Sequence, residues 1–207
     1  MQPVYNMKLS YSPTSPYTRK VLVLAKECGL ANMIDCIETD AWSEKTGLRE
    51  KNPLCKLPVL ETDDGKILFD STVICAYLDT LHGGQRFIPV GEPVHWQVLQ
   101  IQAVCDGILD AAFGSVMELR SREPAEQSEF WLKRHRLAIV SAINWLEEHF
   151  SEFGRAISFA PICVAVALGY IDFRMTEISW RERNPKLSNW YQEFSQRDSI
   201  RSTNPAA

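Results

Sequence analysis

The sequence predicts two parts of different class, an α/β first half and an all-α second half. Three observations carry this. Roughly the first eighty residues switch between strand-like and helix-like hydrophobic rhythm. The run GGQRFIPVGEP (83–93) is rich in glycine and proline, has no period, and reads as a linker. Beyond it nothing alternates like a strand, and apolar residues recur only at three- and four-residue spacing.

The elements follow in order. MKLSYS (7–12) alternates like a short strand. From Ser15 the spacing turns helical, with Val21, Leu22, Leu24, Ala25 and Cys28 recurring at helical intervals. Gly29 ends that helix, since glycine takes the left-handed conformation at a helix end without a steric penalty. MIDCIET (33–39) is a second strand, followed by a loop with a short helical turn near 43–50. LPVLETDDGKILFD (57–70) is a hairpin that turns at Asp64-Gly65. Ser71 is read as the cap of a helix over 72–82. The resulting order is β-α-β-(α)-β-β-α. In the second half, Val98, Ile101, Cys105, Ile108, Ala112 and Val116 form one helical stripe. A second long helix is expected over about 125–150, a third over the uncharged run AISFAPICVAVALGYI (156–171), and a fourth over 187–194. The uncharged run is short for a bilayer and contains a proline, so it reads as a buried core helix. The tail RSTNPAA (201–207) is expected to fray. Domain boundaries are expected at 7–83 and 94–207, with 84–93 between them.

Composition narrows the function classes. The 207 residues suffice for a substantial core, in one large domain or two small ones. Apolar content of 45%, charged content of 23% and a net charge of −4 are ordinary for a soluble globular chain. Nucleic acid is not an expected partner, because the basic stripe it needs is missing. The one dense basic patch, KRHR (133–136), sits among Trp131, Leu132, Leu137 and Ile139 and reads as the wet face of an amphipathic helix. The cysteines, Cys28, Cys36, Cys55, Cys75, Cys105 and Cys163, have no CxxC or CxxH spacing and are expected to be buried, reduced thiols with no metal. The opening MQPVYN has no basic region leading into an apolar stretch, so a cytoplasmic protein with no membrane partner is expected.

The chemistry centres on SPTSPYTRKV (12–21). Ser15 followed by Pro16 is a helix start: the serine accepts from unsatisfied backbone N–H groups, and proline loses nothing at the first helical position. Capping alone accounts for it. The same place also favours an anion, since a helix N-terminus carries positive potential and spare donors. A thiolate qualifies. Lowering a thiol pKa by one unit takes about 1.4 kcal/mol, and a hydroxyl donor together with the helix end supplies about 2–3 kcal/mol. A thiol of pKa near ~8.5 is then mostly ionised at neutral pH.

Two further stretches extend the site. In NPLCKLPVL (52–60), Pro58 precedes a strand and gives up one ladder N–H; a cis bond would turn the Leu57 backbone toward a ligand, where it can pair with an extended peptide. A plain strand-entry proline explains it equally. In FDSTVICAYL (69–78), the Ser71 hydroxyl and nearby N–H groups can hold a carboxylate, while Asp70 can accept from an ammonium. A carboxylate and an ammonium on one carbon describe an α-amino acid. Lys56 offers charge to a second carboxylate, or is simply solvated. Together these stretches suit a small peptide with an amino-acid head, a strand-like middle, a thiol and a carboxylate tail.

In these residues, and in GGQRFIP and ALGYIDFR (167–174), the chain resembles the glutathione S-transferase superfamily over nearly its whole length, most closely bacterial members opening with a TSPY/F-x-RK segment. The resemblance implies a thioredoxin-like N-terminal domain, an all-helical C-terminal domain lining the electrophile site, and a homodimer. It implies glutathione as co-substrate, with no other cofactor and no metal. Ser15 stands where serine-type members keep the hydroxyl that donates to the glutathione sulfur. Leu57 matches the residue whose backbone pairs with the cysteinyl unit, Pro58 the cis-proline, and Asp70 and Ser71 the acid-serine pair that holds the γ-glutamyl group, where glutamate is commoner. Lys56 matches a position that often contacts the glycyl carboxylate. SPYT (15–18) overlays the CPYC of glutaredoxins with both sulfurs replaced by hydroxyls, so thiol–disulfide exchange is not expected there. Asp106, Asp110, Phe113 and Met117 are candidates to line the electrophile site.

Two departures stand out. Cys55 replaces the glycine of the usual NPxGK. In SFAP (158–161), Pro161 replaces the acid of the usual S/T-x-x-D box, so the core helix is expected to form with a weaker cap. The expected activity is transfer of glutathione to a small hydrophobic electrophile, as in detoxification. The alternatives are a non-catalytic binding protein on the same scaffold and a glutathione-dependent isomerase of the maleylacetoacetate type, whose SSCS-style segment this chain lacks.

Overall fold

The computed structural model describes residues 6–91, 93–153 and 157–205. It divides into two compact units. One holds the described residues up to Arg86 together with Ser202–Pro205, and the other lies within Phe87–Arg201.

The first unit is built on a four-stranded sheet of β1 (Met7–Tyr11), β2 (Ile34–Glu38), β3 (Val59–Glu61) and β4 (Ile67–Leu68), in the order β2-β1-β3-β4. β1 runs parallel to β2 and antiparallel to β3, and β4 is antiparallel to β3. The alternation in β1 seats Met7 and Leu9 in the core, both fully buried. The parallel β1–β2 pair needs a crossover, which α1 (Pro16–Glu27) provides. Ser15 caps α1, Pro16 opens it, and Val21, Val23, Leu24 and Ala25 line its buried face. Gly29, at φ 71°, ends it as the sequence predicts. A short α2 (Leu48–Lys51) precedes β3, and α3 (Ser71–Leu78) follows β4 and packs on α1. The architecture is thioredoxin-like, with the element order read from the sequence.

The start and end of α3 both differ from expectation. Its cap is Asp70, not Ser71: the Asp70 carboxylate accepts from Thr72 N–H at 3.0 Å, and Ser71 is the first helical residue. Serine and aspartate are comparable caps, so two adjacent candidates left the boundary open by one residue. The helix stops at Leu78 instead of running to 82. Thr80 and Leu81 donate to carbonyls three residues back, which tightens the chain into a turn before Gly83.

The second unit contains α4 (Val94–Ser121), α5 (Glu129–Glu148), α6 (Phe159–Arg174), α7 (Trp180–Arg183), α8 (Pro185–Phe194) and α9 (Asp198–Arg201). α4 packs against both α5 and α6. α6 is the centre, with every residue from Phe159 to Ile171 buried. Its cap residue Ser158 makes no side-chain capping bond, as the missing acid at Pro161 foreshadows; the Phe159 N–H instead donates to Phe87 O at 2.9 Å. α7 and α9 are single turns, too short to show a period, and the sequence reading missed them.

The burial of the cysteines and the fraying of the tail differ from expectation, and the basic patch agrees with it. No disulfide joins the six cysteines; Cys75, Cys105 and Cys163 are buried, whereas Cys28 and Cys55 are half-buried and Cys36 is exposed. In KRHR, Lys133, Arg134 and Arg136 are exposed on α5, as expected, and His135 is half-buried. The described part of the tail is not frayed. Ser202–Pro205 belong to the first unit, where Arg19 Nε donates to Thr203 Oγ1 at 3.4 Å. No described helix is long and apolar enough to cross a membrane.

Candidate functional site

The sheet register gathers the candidate residues of the first unit at one edge. Ser10 of β1 is opposite Val59 of β3, and Leu60 is opposite Leu68 of β4. Extending both ladders by a step or two sets Tyr11, Pro58 and Asp70 in line across three strands. Ser15 follows β1 at that edge. β1 and β4 run the same way, so α1 and α3 both begin there and both return antiparallel to those strands. Two helix N-termini therefore face the same end of the sheet.

Ser15 is half-buried, and its Oγ accepts from Thr18 N–H at 3.2 Å. That bond uses a lone pair. The hydroxyl proton is left to donate, so one side chain can cap the helix and serve an anion. The first turn of α1 carries no acidic residue to cancel the helix potential. The next turn carries two cations buried to 5% and 1% exposure, Arg19 and Lys20. The helix dipole alone makes this helix start a positive end.

The Leu57–Pro58 bond is cis, as is Phe69–Asp70. Pro58 is buried, Leu57 half-buried and Lys56 exposed. Asp70 is exposed while capping α3, and Ser71 is buried. The loop entering β3 is held by Asn52, which the sequence reading passed over. Asn52 is 2% exposed; its Nδ2 donates to Lys56 O at 2.9 Å, and its Oδ1 accepts from Leu54 N–H at 3.0 Å. Asparagine before proline at a loop start was the available signal. Cys55 sits in this loop at φ 53°, the region glycine favours, and its Sγ lies 3.6 Å from Ala41 O. The glycine it replaces is thus explained by backbone conformation.

In the second unit, Asp106, Asp110, Phe113 and Met117 share one face of α4. Asp106 and Met117 are half-buried, Asp110 and Phe113 exposed, and Asp106 accepts from Gln102 Nε2 at 3.4 Å. None is a core residue.

Residues 14–81 match the glutathione S-transferase N-terminal domain, and residues 129–193 match the glutathione S-transferase C-terminal domain. The chain belongs to the glutathione S-transferase family. A GST-like protein of Escherichia coli, YibF, itself uncharacterised, is 33% identical over 96% of this chain and 98% of its own length. A glutathione transferase family member from Pseudomonas fluorescens Pf-5, solved with bound glutathione, is 40% identical, with a TM-score of 0.92 over 96% of this chain and 98% of that one. A glutathione S-transferase from Methylobacillus flagellatus, also solved with glutathione, is 32% identical, with a TM-score of 0.90 over 96% and 99%. Within this family the gathered edge is the candidate glutathione site.

Proposed function

We propose that this protein is a serine-type glutathione transferase. Glutathione lies along the edge where α1, β3 and α3 meet. Asp70 accepts from its α-ammonium, the Ser71 hydroxyl and the first N–H groups of α3 hold its α-carboxylate, the Leu57 backbone pairs with its cysteinyl unit, and Lys56 attracts its glycyl carboxylate. Ser15 donates its hydroxyl proton to the sulfur. The thiol proton leaves to solvent, the thiolate attacks an electrophilic carbon, an S–C bond forms, and the leaving group departs with its electron pair. The protein's share is ionisation and proximity. Residues 106, 110, 113 and 117 of α4 are proposed contacts for a small hydrophobic electrophile. The proposed organisation is a glutathione domain at 7–83, a linker at 84–93 and a helical domain at 94–207, working as a cytoplasmic homodimer in detoxification.

The observation that carries this reading is the double use of Ser15: its oxygen accepts from Thr18 N–H, and its proton is left for an anion. The relatives solved with glutathione, at 40% and 32% identity, support the choice of thiol. The test is turnover of a chlorinated nitroaromatic by Ser15→Ala and Ser15→Thr. Hydrogen bonds to charged groups contribute about 1.5–3 kcal/mol, so the alanine variant should lose about 10- to 100-fold in rate with glutathione affinity little changed. Threonine keeps the hydroxyl and should recover much of it. Full activity in the alanine variant overturns the role of Ser15. A chain that binds glutathione and turns over nothing is a binding protein.

A further inference from the structure

The far ends of α1 and α3 carry a second cluster. Cys28 caps the C-terminus of α1, Asp79 caps the C-terminus of α3, and His82 follows three residues later. Cys28 Sγ, an Asp79 carboxylate oxygen and a His82 ring nitrogen all lie within 4.8 Å of one another, the one such triple of possible ligands among the described residues. The Asp79 side chain is fully buried and that of His82 is 10% exposed. We propose that Cys28, Asp79 and His82 bind a divalent transition-metal ion of the zinc class.

The donor set is a thiolate, an imidazole and a carboxylate, the three ligand types zinc takes. The surroundings favour a cation. Two helix C-termini, the negative ends of their dipoles, meet at the cluster. One cation beside Asp79 is Arg86, whose Nη1 is 3.8 Å from Oδ2 on a side chain 40% exposed. His82 Nε2 faces Asp79 at 3.1 Å, and Nδ1 accepts from Gly84 N–H at 3.2 Å.

Those contacts also state what binding changes. Nε2 now carries the imidazole proton, because Nδ1 is an acceptor. Metal at Nε2 moves that proton to Nδ1, and the amide of exposed Gly84 must turn away. The Cys28 thiol proton goes to solvent. One proton is therefore released per ion, and the three side chains leave a fourth position for water. α1 is 12 residues long, about 18 Å, so the ion sits a helix length from Ser15 and ties two helix ends together instead of taking part in transfer chemistry.

The test is a cobalt(II) titration of the full chain in a non-chelating buffer without glutathione, followed by zinc competition. One equivalent should bind, with a near-ultraviolet thiolate-to-cobalt band and release of one proton, and zinc should displace it. Cys28→Ser should remove the band. His82→Ala should keep a band but weaken affinity by more than the roughly 10- to 100-fold that losing an outer-shell partner costs. No thiolate band in the unaltered protein overturns the proposal, and this outcome does not depend on either variant folding. A band unchanged in Cys28→Ser also overturns it, by assigning the metal to another of the six cysteines.

Discussion

The two ends of the α1–α3 pair invite comparison. At one end stand a serine with a proton to donate, backbone N–H groups and a carboxylate cap that is proposed to accept from an ammonium. At the other stand a thiol, a buried carboxylate and an imidazole at the helix C-termini. The helices are the same and their polarity sorts the chemistry: anions are stabilised where N–H groups project, cations where carbonyls project. A thiol has opposite fates at the two poles. At the positive pole a bound thiol is proposed to ionise easily. At the negative pole the Cys28 thiol is pushed up to about 12, first by burial and then by the charges of Asp79 and Glu27.

The comparison breaks most visibly at Ser15, where the alanine variant should show the 10- to 100-fold loss of turnover given above. Asp70→Asn should come next. Asparagine caps as well as aspartate, so α3 should persist while the ammonium loses a charged acceptor. Isothermal titration should record glutathione binding weaker by about 1.5–3 kcal/mol, mostly as affinity; unchanged affinity would place the amino-acid head elsewhere.

Asn52→Ala tests whether the positive pole depends on its loop. Two part-buried hydrogen bonds are lost, at a cost of about 1–3 kcal/mol for groups left unpaired. The thermal midpoint should fall, and added glutathione should restore part of it through binding to the folded state. A fall that glutathione leaves untouched would make Asn52 purely structural.

At the negative pole the sign runs the other way. Cys28 keeps its proton in the folded chain up to about pH 12, whereas an unfolded thiol loses it near pH ~8.5. Stability should therefore decline as pH rises above the unfolded value and level off beyond the folded one. Cys28→Ser should flatten that slope in metal-free protein, read from urea midpoints across alkaline pH. The smallest effect is expected at Asp64. A hydrogen bond from Lys66, with another from Thr62, holds its carboxyl below the ordinary range. Its contribution is present above the ordinary carboxylate value and disappears as pH falls through the depressed one. The pair is exposed and screened, so Asp64→Asn should leave the midpoint nearly unchanged, and any difference should vanish in high salt.

How legible each pole was in the sequence follows from chain distance. Ser15 and Pro16 are adjacent, and a cap followed by proline announces itself in a few residues. Asp64-Gly65 marked its hairpin in the same way. The boundary at Asp70 and Ser71 slipped by one because both residues cap well. The Cys28–Asp79–His82 cluster had no local spacing to reveal it, because Cys28 is brought to the others only by the packing of α1 on α3. The buried Arg19 and Lys20 were equally hidden. A cation in a helix reads as solvated until the tail, through Thr203, is seen beside it.

The positive pole is tested most directly by an ultraviolet difference titration of glutathione bound to the full chain, with the S-methyl tripeptide as blank. The thiol should ionise at least about one pH unit below its value in buffer, the shift that about 1.4 kcal/mol at the start of α1 produces. A bound thiol as weakly acidic as the dissolved one would contradict the account.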